Sequence, residues 1–164
     1  NTGYKFPVTI VTGDLQYKGF NNNLIVRGNA VYGNLGASGA LTTINNSSSA
    51  ASGYPNTTVA QNAVSYGGEA GYNIGSFFHS KAPRIYPFIR YEYYNPMEKT
   101  EANTGLLADK RFQVSAVTAG LNYYALPNLV IKADYTHRSI GGGKYNDENL
   151  VSVGIAYIGW FIKK

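Results

Sequence analysis

A stretch of ten residues decides the fold of this chain: Leu129-Val130-Ile131-Lys132-Ala133-Asp134-Tyr135-Thr136-His137-Arg138. Its odd-numbered positions from Leu129 to Tyr135 are apolar. Polar or charged side chains occupy the later even-numbered positions: Lys132, Asp134, Thr136 and Arg138. A β-strand has a period of two residues, so one side of this stretch is apolar and the other carries charge. The pattern predicts a strand between an apolar medium and water.

Seven such strands are predicted along the chain, six of them outside this stretch. Their approximate bounds are 9–19, 24–35, 63–77, 85–94, 112–125, 129–138 and 149–161. The connections between them alternate between short and long. Asn21-Asn22-Asn23 predicts a tight turn, because asparagine tolerates left-handed backbone, whereas residues 36–62, rich in Gly, Ser, Asn and Thr, predict a long loop.

This alternation is typical of outer-membrane barrels, which have brief periplasmic turns and longer extracellular loops. The predicted fold is therefore all-β, an antiparallel up-and-down transmembrane β-barrel, with residues 1–164 forming a single wall segment. Single-chain bacterial barrels have an even number of strands, and seven is odd. We therefore expect this chain to be the C-terminal part of a larger barrel, or to lack at least one preceding strand.

The composition agrees with a barrel and disfavours other classes. No apolar run approaches the ~20 residues of a membrane helix, which excludes a helical membrane protein. The 15 tyrosines outnumber tryptophan and phenylalanine together and suit a structure with many boundaries between water and apolar groups. The absence of cysteine removes disulfides as a source of stability. The net charge of +5 is dispersed rather than gathered in a stripe, so no nucleic acid partner is expected.

Nine charged side chains alternate with the apolar positions and are predicted to line a water-filled lumen. They are Asp14, Lys18, Arg27, Glu69, Arg90, Glu92, Lys132, Asp134 and Arg138. Basic groups exceed acidic groups by one in this set, which suggests a slight preference for anions. Most of these charges are expected to pair, Arg90 with Glu92 and Lys132 with Asp134, and so to hold the wall rigid.

Aromatic residues near the predicted strand ends should form two girdles where lipid meets water. The predicted girdle residues are Tyr17, Tyr32, Tyr66, Phe77, Tyr91, Tyr93, Tyr123, Tyr135, Tyr157 and Phe161. Four residues break the alternation, and β-bulges are the predicted cause: Val8, Ile10, Phe112 and Val114. Three aromatic or aliphatic residues should point inward and pack locally: Phe88, Ile158 and Trp160.

Three segments resemble the larger bacterial outer-membrane porins, including phosphate-selective relatives: 67–73, 87–95 and 119–135. The likeness covers most of the chain from about Val11 onward. It implies the closing half of a porin-type barrel in the bacterial outer membrane, and oligomers such as trimers. Such barrels usually end on an aromatic residue recognised during assembly, whereas here Ile162-Lys163-Lys164 follow Phe161.

Enzymatic, metal-binding and cofactor-binding motifs are weak. His79 and His137 have no evident Ser or Asp partner for catalysis, and no metal-ligand spacing appears. The run Gly141-Gly142-Gly143 lacks the strand-to-helix context of a phosphate loop. We therefore expect neither an enzyme nor a cofactor.

The sequence predicts a passive diffusion porin for small hydrophilic solutes, some of them anionic. Its expected partners are the lipid bilayer, lipopolysaccharide and small solutes, with a homo-oligomer or other outer-membrane proteins as possible protein partners. Two alternatives stay open. A small closed barrel would have a structural or partner-binding role and no conductance, and a soluble β-sandwich or β-barrel would also alternate apolar and polar positions.

Overall fold

One antiparallel sheet of seven strands forms the body of the molecule. The computed structural model describes residues 3, 5–52, 58–78, 83–102 and 107–157, with the backbone alone for 48–52. The strands are Val8–Gly19 (β1), Leu24–Leu35 (β2), Asn62–Tyr72 (β3), Arg84–Lys99 (β4), Val114–Leu126 (β5), Leu129–Ile140 (β6) and Asp147–Tyr157 (β7). Each strand pairs with its neighbours in chain order. The up-and-down all-β topology is confirmed, and within the described residues the sheet is open, with β1 and β7 at its edges.

Residues that pair across the sheet lie at different distances from the ends of their strands. One row of paired residues crosses six strands: Tyr17, Val26, Ala70, Ile89, Ala119 and Tyr135. The row starts near the end of β1 at Gly19 but meets β6 well beyond its start at Leu129. The strands are therefore tilted, as a sheet that curves towards a barrel requires.

The strand ends that border residues 20–23, 73–83 and 127–128 form one end of the sheet, which we call the turn edge. Asn21 and Asn22 have φ values of 55° and 65°, so the predicted asparagine turn is confirmed. Asn73 joins this turn to the next one: its Nδ2 donates to Oδ1 of Asn23 at 3.0 Å. Its Oδ1 accepts the backbone N–H groups of Gly75 at 3.2 Å and Ile85 at 3.1 Å.

The third strand was predicted to reach residue 77 but ends at Tyr72. The side chain of Asn73 takes the N–H of Gly75 and begins a short 3₁₀ helix, Ile74–Phe77, because asparagine competes with a strand ladder for backbone donors. Phe77 therefore lies outside the strand, where its ring stacks on Tyr72 with centroids 5.4 Å apart. Phe161, Ile158 and Trp160 lie outside the described residues, as does His79.

The strand ends that border the segments 36–61, 100–113 and 141–146 form the other end of the sheet, the loop edge. The first was predicted to be a loop but contains helix α1, Ser38–Ser52. The carboxylate of Glu101 accepts from the hydroxyl of Ser38 at 3.3 Å and from the backbone N–H of Gly39. A negative charge there satisfies donors of the first turn and complements the helix dipole. The hydroxyl of Thr42 accepts from the backbone N–H of Val59 at 3.0 Å.

A short 3₁₀ helix lies at the loop edge between β4 and β5. It spans Lys110–Phe112, and its N-cap Asp109 accepts from the backbone N–H of Arg111 at 2.9 Å. The Arg111 guanidinium also donates to this carboxylate, which lowers the pKa of Asp109 below its usual value. Phe112 thus belongs to a 3₁₀ helix and not to the fifth strand.

Bulges do not explain the remaining breaks in alternation. Val8 and Ile10 pair in unbroken register with Leu35 and Gly33, and Val114 opens β5 in register with Tyr94 and Ile140. The register shifts instead occur between Asn62 and Val64, and between Tyr124 and Leu126. The prediction of bulges at these positions was wrong because the polar side of the sheet becomes apolar towards the loop edge.

No helix in the described part of the chain is both long and apolar enough to cross a membrane.

Candidate functional site on the polar face

Register divides the sheet into two chemically different faces. The apolar face carries the side chains in register with Ile131, and the polar face carries those in register with Lys132. On the apolar face of the described strands, charged groups occur only towards the loop edge: the carboxylate of Glu98, which is 3.4 Å from the hydroxyl of Tyr93, and the side chains of Lys99 and Asp147. All nine charged residues predicted to line a lumen lie on the polar face.

The exposure of the two faces is the reverse of that in a soluble protein. On β7 the apolar-face residues Val151, Val153 and Ile155 are 73–76% exposed. The buried apolar side chains of the described residues, Tyr86, Val114 and Val130, are all on the polar face. On β5 and β6 the polar face is therefore the more sheltered side, whereas β1 is exposed on both faces from Val8 to Lys18.

The aromatic residues predicted as girdles divide in the same way. Eight of them lie on strands, and all eight are on the apolar face: Tyr17, Tyr32, Tyr66, Tyr91, Tyr93, Tyr123, Tyr135 and Tyr157. Tyr66 stacks on Tyr93 with ring centroids 5.0 Å apart, and Tyr91 is 6.3 Å away. Cross-strand aromatic pairs of this kind stabilise a sheet.

Three charged side chains meet at the centre of the polar face. Arg27, Glu69 and Arg90 are directly opposite one another on β2, β3 and β4. The Arg90 guanidinium donates through Nε and Nη2 to Oε2 of Glu69, the first at 2.9 Å. Nη1 of Arg27 is 3.5 Å from Oε1 of the same carboxylate. One carboxylate thus serves two guanidinium groups.

The predicted ion pairs along single strands are not formed. Arg90 pairs with Glu69 on the neighbouring strand instead of Glu92, because directly opposite residues are closer than residues two apart on one strand. Lys132 and Asp134 form no ion pair with one another. In the described part of the chain, five of the nine charged side chains make no side-chain hydrogen bond or ion pair: Asp14, Lys18, Glu92, Lys132 and Asp134.

Arg138 occupies a second cluster near the loop edge. It donates to Glu148 on β7 at 2.8 Å and to the hydroxyl of Tyr94, across β5, at 3.0 Å. The sequence analysis missed Glu148 because it placed the start of the last strand at 149, whereas β7 begins at Asp147. Continuing the alternation of Ser152 backwards along the strand would have found it. Arg84 was missed in the same way, so one charge of each sign is added and the excess of one basic group is unchanged.

A groove of about 560 Å³ runs over β1–β4 beside the central cluster. Its charged lining consists of Asp14, Arg27, Glu69, Arg90 and Glu92, so three carboxylates oppose two guanidinium groups. Gln16 and Asn29 add neutral polar groups to the lining. The groove therefore offers hydrogen-bond donors and acceptors of both charges to a solute on the polar face.

His137 lies on the apolar face, where its Nδ1 is 3.0 Å from Oδ1 of Asn149. No group of side chains in the described ranges has the composition of a metal site.

Comparison of the chain with protein-family models, with curated proteins and with solved structures gives no match.

Proposed function

We propose that this sheet is part of the wall of a β-barrel in the bacterial outer membrane and that the protein is a porin. Small hydrophilic solutes would diffuse passively along its polar face, with a slight preference for anions from the single excess basic group. The apolar face would contact lipid, and the polar face would line the lumen. This proposal agrees with the resemblance of segments 67–73, 87–95 and 119–135 to porins.

The observation that carries the proposal is the reversed exposure of the two faces. Soluble monomers rarely expose contiguous apolar patches larger than a few hundred Å². Here the exposed apolar side chains extend across the whole sheet, from Leu15 on β1 to Ile155 on β7. An Arg or Lys side chain on a lipid-contacting face costs about 2–4 kcal/mol at the membrane midplane. This cost accounts for the lack of charged residues in the middle of the strands on this face.

Strand number decides whether such a barrel conducts. About eight strands give an interior filled by side chains, whereas 16 or more leave an aqueous channel. A porin would therefore require further strands to pair with the free edges of β1 and β7. The mechanism we propose is steric filtering by the barrel width, with electrostatic filtering by the charged groups of the polar face.

Planar-bilayer recording of the assembled barrel, in which further strands pair with β1 and β7, tests this function. We expect stepwise ion currents in KCl, and in a salt gradient we expect Lys132→Glu to shift the reversal potential towards cation selectivity. Lys144→Glu is the matched control, since it makes the same change of charge in the connection 141–146, off the polar face. A protein that inserts into membranes but carries no steady current would contradict the porin proposal.

The alternative of a closed barrel with a partner-binding role is favoured by one observation. The loop edge is structured, because Glu101 from one connection holds the first turn of α1 in another. A fixed surface of this kind suits a partner outside the membrane. Membrane insertion without conductance would support this alternative, and solubility without detergent would contradict both proposals.

A further inference from the structure

The groove on β1–β4 presents unused hydrogen-bonding groups of both charges. Among the described residues, Asp14 and Glu92 make no side-chain hydrogen bond, and Arg27 makes only the 3.5 Å contact with Glu69. A guanidinium has five N–H donors, so most donors of Arg27 are available. Its side chain is 57% exposed, against 19% for Glu69. A solute entering the groove thus meets free carboxylates and a largely free guanidinium.

The opposite charges lie at a spacing that one small molecule can bridge. Asp14 is directly opposite Asn29, two residues along β2 from Arg27, so Asp14 and Arg27 are diagonal neighbours. Diagonal neighbours on one face are about 7–8 Å apart. Gly67 lies between Asn29 and Glu92 in the same row and has no side chain to fill the floor. An ammonium and a carboxylate carried by one molecule can reach both partners.

The balance of charge argues against simple ions in this groove. An anion at Arg27 would be repelled by Asp14 and Glu92, while a cation at either carboxylate would be repelled by Arg27 and Arg90. A zwitterion satisfies both signs at once. Charge-assisted hydrogen bonds are the stronger kind, and guanidinium–carboxylate pairs can form two in parallel.

An apolar cavity of about 310 Å³ adjoins the groove on the side of the loop edge. Its lining includes Ile10, Val31, Ala63, Tyr94 and Pro96. On their strands Val31 is two residues from Asn29, and Tyr94 is two residues from Glu92. The same face therefore places an apolar surface next to the free charges.

We infer that the groove and the apolar cavity together bind a zwitterionic solute with an apolar side chain, the class of free amino acids and short peptides. This inference rests on the proposed function, because it names the solute class that the proposed lumen would favour. The ammonium group would contact Asp14 or Glu92, the carboxylate would contact Arg27, and the side chain would lie against Val31 and Tyr94.

Three dipeptide probes separate the contributions of charge. Glycyl-leucine is a zwitterion, N-acetyl-glycyl-leucine is an anion, and glycyl-leucine amide is a cation. For the assembled barrel in planar bilayers we expect glycyl-leucine to halve the ion current at a concentration about tenfold lower than either blocked form, since each blocked form loses one charge-assisted contact. Isothermal titration calorimetry in detergent micelles should give the same order of affinities.

Variants assign the contacts. Arg27→Gln should weaken glycyl-leucine about tenfold and abolish its advantage over the amide, whereas Asp14→Asn combined with Glu92→Gln should abolish its advantage over the acetylated form. Val31→Thr keeps the branched shape but adds a hydroxyl, so it should weaken glycyl-leucine and leave glycylglycine unchanged. Lys144→Gln removes one positive charge off the polar face, as Arg27→Gln does on it, and should change none of these values.

The two readouts separate this inference from the proposed function. If current flows but the three probes act at equal concentrations, the zwitterion site is wrong and the porin proposal stands. If no current flows but calorimetry shows the expected order, the binding site is right and the diffusion channel is wrong. Absence of both current and selective binding would overturn both.

Discussion

The two faces of strand β5 differ in exposure in the direction opposite to that expected of a soluble protein. Val117 and Leu121 are about two-fifths exposed on the apolar face, whereas Thr118 between them is 7% exposed on the polar face. The Thr118 hydroxyl is 2.8 Å from that of Thr136 on β6. In a soluble protein valine and leucine are buried far more often than threonine. Among the described residues, burial of apolar side chains is limited to Tyr86, Val114 and Val130 and contributes little to holding this sheet together.

Other interactions must then stabilise the sheet. Backbone hydrogen bonds join every pair of neighbouring strands, and the polar face adds side-chain contacts such as the Glu69 cluster. The described apolar face adds aromatic pairs, including Tyr66 with Tyr93. If lipid covers that face, as we propose, the exposed valines and leucines are in their preferred medium. On this proposal the two faces differ because lipid contacts one of them and water contacts the other.

The most severe test places the same charge on each face in turn. Ala133 on β6 is exposed on the apolar face, and Ser152 on β7 lies on the polar face opposite Asp134. For the protein folded in phospholipid vesicles, we expect Ala133→Arg to lower the free energy of unfolding by about 2–4 kcal/mol. Ser152→Arg should stay within about 0.5 kcal/mol, as surface changes usually do.

Urea titration of the two variants, followed by tyrosine fluorescence, measures this difference. Equal stabilities would mean that water wets both faces, and the proposed membrane position of the sheet would then be wrong.

A smaller effect is expected from glycines on the polar face. A Cβ at Gly120 would lie 2.6 Å from the ring of Phe88 and 2.7 Å from Cβ of Asp134, whereas a Cβ at Gly154 would meet nothing within 4 Å. Phe88 points to the polar face, as predicted, and lies over Gly120. We expect Gly120→Ala to destabilise the protein by about 1–3 kcal/mol, the usual effect of overpacking.

Gly154→Ala is the matched control for that change. It should be neutral or raise the free energy of unfolding by a few tenths of a kcal/mol to about 1 kcal/mol, because alanine restricts the unfolded chain. Thermal unfolding in detergent compares the two variants. A loss of stability in Gly154→Ala equal to that in Gly120→Ala would show that backbone conformation, and not contact with Phe88, requires glycine at these positions.

The alternation in the sequence was enough to predict the seven strands, their order and the common face of the nine charged residues that were expected to line a lumen. A strand pattern is local, and a tight turn such as Leu126-Pro127-Asn128 fixes the register of the strands that it joins. A slip by one residue would have moved every charge to the apolar face. These features depend on residues that are close together in the chain, so they can be predicted from the sequence pattern alone.

Features that depend on distant residues could not be predicted in this way. Helix α1 begins in a segment rich in Gly, Ser and Asn, and Glu101 from another connection caps it. The partner of Arg90 is Glu69 because of the register between β3 and β4. The prediction of a pair with Glu92 considered only residues on the same strand. Phe77 lies outside the third strand because the side chain of Asn73 forms hydrogen bonds with two different turns and the strand ends before it. In each case a contact far along the chain overrides a local preference.

The smallest expected effect concerns the hydroxyl pair at the centre of the polar face. Thr118→Val keeps the shape of the side chain but removes its hydroxyl, so the Thr136 hydroxyl loses a partner at 2.8 Å. Because Thr118 is buried, we expect the free energy of unfolding to fall by about 0.5–1.5 kcal/mol, the typical net value of one hydrogen bond.

Val117→Thr is the matched control on the apolar face. If lipid lies there, this change should also destabilise the protein, since its new hydroxyl has no water to bind. In water the same control should be close to neutral, so the two single-residue changes report which face is wet. Destabilisation by Thr118→Val alone would mean that the polar face is structural while the apolar face is exposed to water.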